Sequence, residues 1–279
     1  MSIELGHYGI WQRTSDAKPD SAREIERLGF GALWAGGSPD GSLEPIEALL
    51  GATDSLPVAT GIVNMWRDSA PVVAQSFHRI EERHPGRFLL GVGIGHPEAT
   101  SEYHRPFDTI VDYLDELDAA GVPRDQVLLA ALGPKVVKLS GERTLGAHPY
   151  LTTPRHTRQA REILGSGPLL APEQTVVVGG DPVEARERAR GFVARYLGLV
   201  NYRNSLLREG WSESDLADGG SDRLVEELVL TGSAGDVASG IRAHLDAGAD
   251  HVSIQHLGPD PVPAFADLAG ALLSAETVR

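Results

Sequence analysis

The hydrophobic and polar positions of this chain follow a repeated pattern: an amphipathic helix, a glycine, and a short apolar run. The pattern is clearest in AREIERLGFGALWAGG from Ala22, LDELDAAGVPRDQVLLAALG from Leu114 and IRAHLDAGADHVSIQHLG from Ile241. A glycine at this point can end a helix in the left-handed conformation. Apolar runs without alternating polar positions are typical of parallel strands that are buried on both faces. The sequence therefore predicts helices that alternate with parallel strands.

Applied to the whole chain, the pattern predicts eight strands, at residues 4–10, 32–35, 58–64, 88–92, 127–131, 144–147, 175–178 and 251–254. Helices are predicted at residues 20–28, 44–54, 71–83, 104–120, 134–140, 154–164, 182–208, 222–230 and 234–247. Eight alternating units favour an α/β fold of the (β/α)8 TIM-barrel type over an open doubly wound sheet. No proline-, glycine- or serine-rich linker divides the chain. We therefore predict one domain over residues 1–279, with an enlarged helical insertion after the seventh strand.

Composition narrows the class of protein. The 279 residues include 39 acidic and 25 basic ones, which gives a formal net charge of −14, and there is no cysteine. This acidity disfavours a surface for nucleic acid or for an anionic membrane, and the missing thiols exclude thiolate catalysis and disulfides. There is no secretory signal pattern and no apolar run of the roughly 20 residues that a membrane helix needs. We expect a cytoplasmic protein that acts on a small molecule.

Candidate chemistry lies where the predicted strands end, since barrel enzymes carry their sites at the carboxyl ends of the strands. Trp11, Trp34 and Trp66 fall at or near the ends of the first three strands. Packing at the barrel rim explains any single one of them equally well. Three together favour an aromatic, mostly apolar pocket for a planar ligand.

A glycine-rich stretch, GVGIGHPE, runs from Gly91 out of the fourth predicted strand. Its spacing is G-x-G-x-G, and His96 stands where the dinucleotide-binding fingerprint has its last glycine. Glycines at a strand end let a ligand lie against the backbone, although an ordinary glycine-rich turn has the same composition.

The segment after the fifth predicted strand indicates an anion site. In LGPKVVKLSGERTLGAHPYL, Gly133 and Pro134 begin a helix that has Lys135 in its first turn. The free N–H groups of a helix N-terminus and a nearby cation together favour a phosphate, although helix capping alone explains the same residues.

Histidines supply the candidate acid–base groups, because His7, His96, His148 and His256 lie near predicted strand ends. The chain has no H-E-x-x-H, P-loop or G-x-S-x-G motif, so zinc-protease, P-loop and α/β-hydrolase chemistry lack support. Nothing in the sequence argues for a metal site.

Three longer stretches carry a family resemblance: ATGIVNMWRDSAPVVAQSFHRIEERHPGRFLLGVGIGHPE, AALGPKVVKLSGERTLGAHPYLTTP and GSAGDVASGIRAHLDAGADHVSIQHLG. They resemble, in order, the core between the third and fourth strands, the phosphate-binding helix start with its following strand, and the last helix–strand pair of the bacterial luciferase-like family. The similarity is to the coenzyme F420-dependent branch in particular. It extends from about Leu5 to Leu257, nearly the whole chain.

The resemblance implies a (β/α)8 barrel that binds a 5-deazaflavin and transfers a hydride at its ring. In this family a bulge in the third strand, often with a non-prolyl cis peptide, supports one face of the ring. The resemblance implies two groups of cofactor-binding residues. Those at the bulge and around the ring are Gly61, Ile62, Val63, Asn64, Trp34, Gly93, Gly95 and His96. Those at the helix start that binds the phosphate are Leu132, Gly133, Pro134, Lys135 and Val136.

The expected substrate pocket consists of Trp11, Trp66, Arg67 and His148. His96 is the first candidate for the residue that supplies the catalytic proton, and His7 and His256 are the next candidates. The sugar-phosphate dehydrogenases of this branch place a histidine after the second strand and a glutamate after the fourth. This chain has Gly36–Gly37 and His96 there, so that activity is doubtful and the substrate stays open.

The function expected first is an F420-dependent oxidoreductase that acts on an unidentified small organic substrate. An FMN-dependent monooxygenase of the same fold and a ligand-binding barrel without catalysis are the alternatives. Luciferase-like barrels usually pair through helices near the second and third strands. The helix at 71–83 carries Val72, Val73, Phe77 and Ile80 on one face, and we therefore expect a homodimer.

Overall fold

The chain folds into a curled sheet of parallel strands surrounded by helices. The computed structural model describes residues 3–96, 98 and 105–274. Its strands are β1 Tyr8–Arg13, β2 Leu33–Gly36, β3 Val58–Gly61, β4 Val63–Asn64, β5 Phe88–Gly93, β6 Val127–Leu129, β7 Gly146–Ala147, β8 Leu169–Leu170, β9 Glu173–Val178, β10 Val229–Gly232 and β11 Val252–His256. Its helices are α1 Pro19–Leu28, α2 Glu44–Leu50, α3 Ala70–Arg83, α4 Pro106–Ala119, α5 Pro134–Arg143, α6 Pro154–Leu164, α7 Pro182–Leu197, α8 Val200–Glu209, α9 Glu213–Leu216, α10 Asp222–Leu228, α11 Ala234–Asp246 and α12 Pro261–Leu272.

The sheet closes on itself through residues 169–178. Neighbouring strands follow the order β11-β1-β2-β3-β5-β6-β7-β8, and β4 continues β3 along β5. β8 pairs with β7, and β9, which follows after only Ala171 and Pro172, pairs with β11. One bent strand thus joins the two ends of the sheet. The predicted (β/α)8 barrel is confirmed.

The repeated unit of the sequence is present in the fold. α1 ends at Gly29 with a φ of 89°, and Gly248 follows α11 with a φ of 101°. Both glycines adopt the left-handed conformation that a side chain would strain. β2 and β5 are buried along their whole length, which is why their sequences lack alternating polar positions.

Several strand boundaries differ from the prediction. β1 begins at Tyr8 and not at residue 4, and β7 is only two residues long. The seventh strand is longer than predicted, because β8 and β9 extend it back to Leu169. β10 occupies the end of the helix predicted at 222–230, since α10 stops at Leu228 and the following residues pair with β9.

The helical insertion after the seventh strand is confirmed and contains α7 to α10. The single helix predicted at 182–208 is wrong, because Leu199 is extended between α7 and α8, with φ −103° and ψ 122°. An apolar cluster of its own, which includes Phe192, Tyr202 and Trp211, holds the insertion together. This packing brings α8 to the carboxyl ends of the barrel strands. α12 was not predicted, and the start predicted for the fourth helix, residue 104, lies outside the described residues.

The apolar face of α3, on which the expected homodimer was based, is mostly buried within the chain. Val73, Phe77 and Ile80 belong to the core between this helix and the barrel, and only Val72 is exposed. The apolar face is therefore explained by packing within the chain, and the homodimer stays a prediction. Within the described residues, no helix is long and apolar enough to cross a membrane.

Candidate functional site

A cleft of about 580 Å³ opens at the carboxyl ends of the barrel strands. The ends of β1, β3 and β4 and the loops after β5, β6 and β7 line it, together with the start of α5 and one face of α8. The lining includes eleven residues that the sequence analysis assigned to the site: Trp11, Gly61, Ile62, Asn64, Gly95, His96, Leu132, Gly133, Lys135, Val136 and His148.

The third strand of the barrel is interrupted on the cleft side. Ile62 separates β3 from β4, and the Gly61–Ile62 peptide bond is cis, as the resemblance implied. A Cβ at Gly93 would lie 2.8 Å from the Cβ of Ala130 and 3.2 Å from Cγ1 of Ile62. Gly93 therefore makes room for these two side chains, and it does not line the cleft. Gly95 does line it, with a φ of 60° and Nδ2 of Asn64 only 2.6 Å from where its Cβ would be.

Two buried ring nitrogens converge beside Gly61. A Cβ at Gly61 would lie 2.8 Å from Nε1 of Trp11 and 3.2 Å from Nε2 of His148. In the described part of the chain neither nitrogen has a hydrogen-bond partner. His148 donates from Nδ1 to the carbonyl oxygen of Ala171 at 2.7 Å, and burial lowers its pKa to about 4. The ring is therefore neutral, and Nε2 carries a free lone pair.

Trp34, which was expected against the cofactor, lies beneath the cleft and not in its lining. Its side chain is fully buried and stacks on His148, with ring centroids 4.2 Å apart. Its Nε1 donates to Nε2 of His251 at 3.0 Å, and Nδ1 of His251 donates to the carbonyl oxygen of Gly6. Trp34 is thus a satisfied core residue that supports the His148 ring.

His96 is the half-buried histidine of the upper wall. Its Nδ1 donates to Oδ1 of Asn201 at 3.1 Å, which leaves Nε2 as the acceptor of a neutral ring. Burial lowers the pKa of His96, and the contact with Asn201 opposes that shift. The ring also lies 5.2 Å from that of Tyr202. His96 therefore has the protonation state and tautomer of a proton acceptor at neutral pH.

The mouth of the cleft is cationic. Arg13, Lys135 and Arg208 line it, and the described lining residues include no aspartate or glutamate. α5 begins here, with Gly133 as an N-cap that makes no side-chain cap bond. The Cβ position of Gly133 lies 3.8 Å from Nη2 of Arg208. Uncapped N–H groups, the helix dipole and these cations all favour an anion at this point.

Tyrosines form a further wall that the sequence analysis missed. Tyr150 OH donates to Oε1 of Gln255 at 2.8 Å and lies 3.0 Å from the hydroxyl of Tyr196. Tyr150 also packs on Trp11, with ring centroids 5.5 Å apart. Tyr196 and Tyr202 come from the insertion. Their spacing gave no signal in the sequence, because only the packing of α7 and α8 against the barrel brings them here.

Several expected residues do not line the cleft: His7, Val63, Pro134, Trp66, Arg67 and His256. His7 is exposed at the amino end of β1, so the prediction that it lies with the other strand ends is wrong. His256 lines a smaller neighbouring cavity of about 270 Å³ and accepts from the N–H of Val178. Arg67 donates to the carbonyl oxygens of Ser38 and Pro39, which fixes the loop after β2. No group of three or more His, Asp or Glu side chains that could hold a metal ion occurs in the described residues.

Comparison with known proteins agrees with this architecture. The family model for luciferase-like monooxygenases matches residues 12–120. None of the curated proteins matches the chain.

Solved structures resemble the chain over almost its whole length. An F420-dependent secondary alcohol dehydrogenase in complex with an F420–acetone adduct aligns with a TM-score of 0.75 and 17% identity, over 96% of this chain and 98% of that one. The F420-dependent tetrahydromethanopterin reductase from Methanopyrus kandleri aligns with a TM-score of 0.71 and 16% identity, over 98% and 99%. The FMN complex of the oxygenating constituent of 3,6-diketocamphane monooxygenase from Pseudomonas putida aligns with a TM-score of 0.69 and 15% identity, over 95% and 96%. At these identities the likeness to the solved structures establishes the fold alone.

Proposed function

We propose that this luciferase-like barrel is an oxidoreductase that binds coenzyme F420 in the cleft and exchanges a hydride with a small organic substrate. The observation that carries the proposal is the cationic mouth. Acidic residues outnumber basic ones by 39 to 25 in the chain, yet the described residues that line the cleft include three cations and no acid. An anionic cofactor explains this local reversal of charge.

The lining fits the two parts of such a cofactor. Gly133, Lys135 and Arg208 would hold its phosphate through backbone N–H groups and two cationic side chains. Ile62 and Asn64, at the interrupted strand, offer a surface for a flat ring, and the aromatic side chains of Trp11 and Tyr150 continue it. When bound, a deazaflavin supplies a two-electron hydride acceptor or donor, so the chain itself needs only to orient the substrate and handle a proton.

His96 is the residue proposed to handle that proton. The contact between Asn201 and Nδ1 keeps Nε2 available, and the lowered pKa keeps the ring neutral at pH 7. A positioned proton acceptor contributes roughly 10²- to 10⁴-fold to rate. The loss of rate expected for His96→Gln lies in this range.

An FMN-dependent monooxygenase is the second candidate, because the matching family model describes monooxygenases and one structural neighbour contains FMN. FMN also presents a flat tricyclic ring and a phosphate to the same lining.

Titration of the purified protein with F420 and with FMN, followed through ring fluorescence, tests both candidates. We expect saturable binding of F420 and weaker binding of FMN. Tight binding of FMN alone would support the second candidate, and binding of neither would refute both. Turnover assays that use the preferred cofactor and a panel of small alcohols, ketones and aldehydes then separate a catalyst from a barrel that only binds ligands.

A further inference from the structure

A second cavity, of about 270 Å³, adjoins the cleft at the ends of β1 and β11. Trp11 and Arg13 line both spaces, so a ligand in the cleft lies within reach of the smaller cavity. Sites for whole drug-sized ligands occupy roughly 300–1,000 Å³. The second cavity is therefore too small for a cofactor with a tricyclic ring, and it has the size of a site for one group of a larger ligand.

Two glutamines in the lining have side-chain NH₂ groups that no described residue binds. Oε1 of Gln12 accepts from Oγ of Ser21 at 2.9 Å, and Oε1 of Gln255 accepts from the hydroxyl of Tyr150 at 2.8 Å. Gln12 is 8% exposed and Gln255 is 6% exposed. Neither Nε2 atom is among the fully enclosed polar atoms that lack a partner, so both nitrogens keep contact with the cavity. A nearly buried amide that offers only its NH₂ group favours a ligand that accepts hydrogen bonds.

His256 adds a third N–H donor to the lining. Its Nδ1 accepts from the N–H of Val178 at 3.4 Å, so the proton of the neutral ring is on Nε2. Burial and the charge of Arg188 lower the pKa of His256, which keeps the ring neutral at pH 7. A Cβ at Gly258 would lie 1.9 Å from Nε2, so glycine at this position leaves room for the donor edge of the ring.

Positive charge prevails around the second cavity. The guanidinium of Arg13 lines it and, within the described residues, forms no hydrogen bond or ion pair. Arg188 lies close enough to lower the pKa of His256 by its charge. Asp16 is the one acid among the described lining residues, and its side chain is exposed to water, which screens its charge. Two cations and three N–H donors therefore face a space with a single solvated acid at its rim, which favours an anion with several acceptor sites.

We propose that the second cavity binds a carboxylate group of the substrate. Arg13 pairs with the negative charge of this group. The N–H groups of Gln12, Gln255 and His256 donate to its two oxygens, which together offer about four lone-pair sites. The assignment rests on the proposed function and names the chemical class of the substrate, a small organic acid whose reacting carbon lies in the cleft. The competing occupants are a neutral carbonyl group, which needs only the N–H donors, and the carboxylate of Asp16 itself, paired with Arg13.

The test uses the full chain, loaded with F420 and labelled with ¹⁵N-histidine, and two probes of similar shape: cyclohexanecarboxylate and cyclohexanecarboxamide. Calorimetric titration measures the affinity of each probe, and His256→Gln identifies the signals of His256. We expect the carboxylate to bind saturably and to raise the pKa of His256, because a nearby negative charge favours the imidazolium form. The carboxamide should bind roughly tenfold more weakly or worse, and it should leave that pKa unchanged.

Arg13→Gln should weaken binding of the carboxylate by roughly 2- to 30-fold, since Arg13 is exposed and water screens part of the ion pair. Lys18→Gln is the matched control. Lys18 is an exposed cation between β1 and α1 that lines neither cavity, so this variant should bind the carboxylate like the unaltered protein. Should Arg13→Gln fail to fold, the two probes on the unaltered protein still decide the question.

Equal binding of the two probes overturns the proposal, since the cavity then recognises a neutral carbonyl group. It is also overturned if the carboxylate does not bind, if it binds without raising the pKa of His256, or if Arg13→Gln and Lys18→Gln weaken binding equally. The fluorescence of F420 in the same samples keeps the two proposals apart. Failure of F420 to bind refutes the proposed function, whereas F420 binding without selective binding of the carboxylate refutes only this inference.

Discussion

Replacement of Arg208 by glutamine tests the cationic mouth most directly. Arg208 lies near the first residue of α5, and within the described residues it forms no hydrogen bond or ion pair. Its surroundings remove enough water to lower its pKa, which the neighbouring Glu209 opposes. Because this guanidinium has no hydrogen bond or ion pair among the described residues, we expect glutamine in its place to change the free energy of unfolding little.

The environment of Arg208 determines how much cofactor affinity the substitution should cost. A hydrogen bond between charged groups contributes about 1.5–3 kcal/mol, and exposed ion pairs contribute less because water and salt screen them. Since Arg208 is exposed at the cleft mouth, we expect Arg208→Gln to weaken cofactor binding by about 0.5–2 kcal/mol, or roughly 2- to 30-fold. The melting temperature of the free protein should stay the same, because surface substitutions outside packed contacts change stability by about 0.5 kcal/mol or less.

The assay is a fluorescence titration with F420 at low and at high salt, together with a thermal melt. Arg203→Gln is the matched control: it lies on the same helix, pairs with Glu213 and does not line the cleft, so its affinity should equal that of the unaltered protein. Salt should weaken binding to the unaltered protein more than to Arg208→Gln. Equal affinities in all three proteins, or a large fall in melting temperature for Arg208→Gln without loss of affinity, would refute the phosphate assignment.

Four further predictions concern the anion site, the floor of the cleft, stability and assembly. Lys135→Glu should weaken F420 binding in a titration, whereas Lys138→Glu, on the same helix but outside the cleft, should not. If both variants weaken binding equally, the net charge of the protein explains the effect and Lys135 does not contact the phosphate. Gly61→Ala puts a methyl group 2.8 Å from the Trp11 indole nitrogen, so it should lower stability by about 1–3 kcal/mol in denaturant unfolding and also close the floor to ligands; unchanged stability would contradict the contact. Burial raises the pKa of Glu173 from 4.5 to about 8, so the folded state binds this proton more tightly than the unfolded state. The stability that results is complete below pH 4.5 and is lost as the pH rises to 8, and Glu173→Gln should reduce the fall in melting temperature from about pH 6.5 to 8. Light scattering at micromolar concentration should give the mass of a homodimer, and a mass near 29.8 kDa would refute it.

The barrel could be predicted from the sequence because its signals are local. A helix that ends at Gly29 or Gly248 and leads into an apolar run needs no knowledge of distant residues. The predicted boundaries of strands and helices were wrong where the local signal was short or ambiguous. β7 has two residues and β8 has two, too few for any periodicity, and the residues of β10 continue the apolar pattern of α10 until pairing with β9 decides their conformation.

The candidate site divides in the same way. Gly133 was predicted because the end of a strand fixes its place in a barrel, and Gly61 and Asn64 were implied by the family resemblance. Asn201 and Arg208 were missed, since they reach the cleft only through the packing of the insertion on its own apolar cluster.

Tryptophan positions show where the sequence argument needs correction. Trp11, Trp34 and Trp66 were treated as one aromatic set, but their environments differ: only Trp11 lines the cleft, and Trp34 is satisfied by His251 in the core. Trp11 and Trp34 differ in whether the indole N–H has a hydrogen-bond partner among the described residues. Trp34 and His251 are 217 positions apart in the chain, so no local sequence pattern predicts their hydrogen bond. The residue type therefore shows which side chains can hydrogen-bond to a ligand. The structure shows which of these side chains already have a hydrogen-bond partner within the protein.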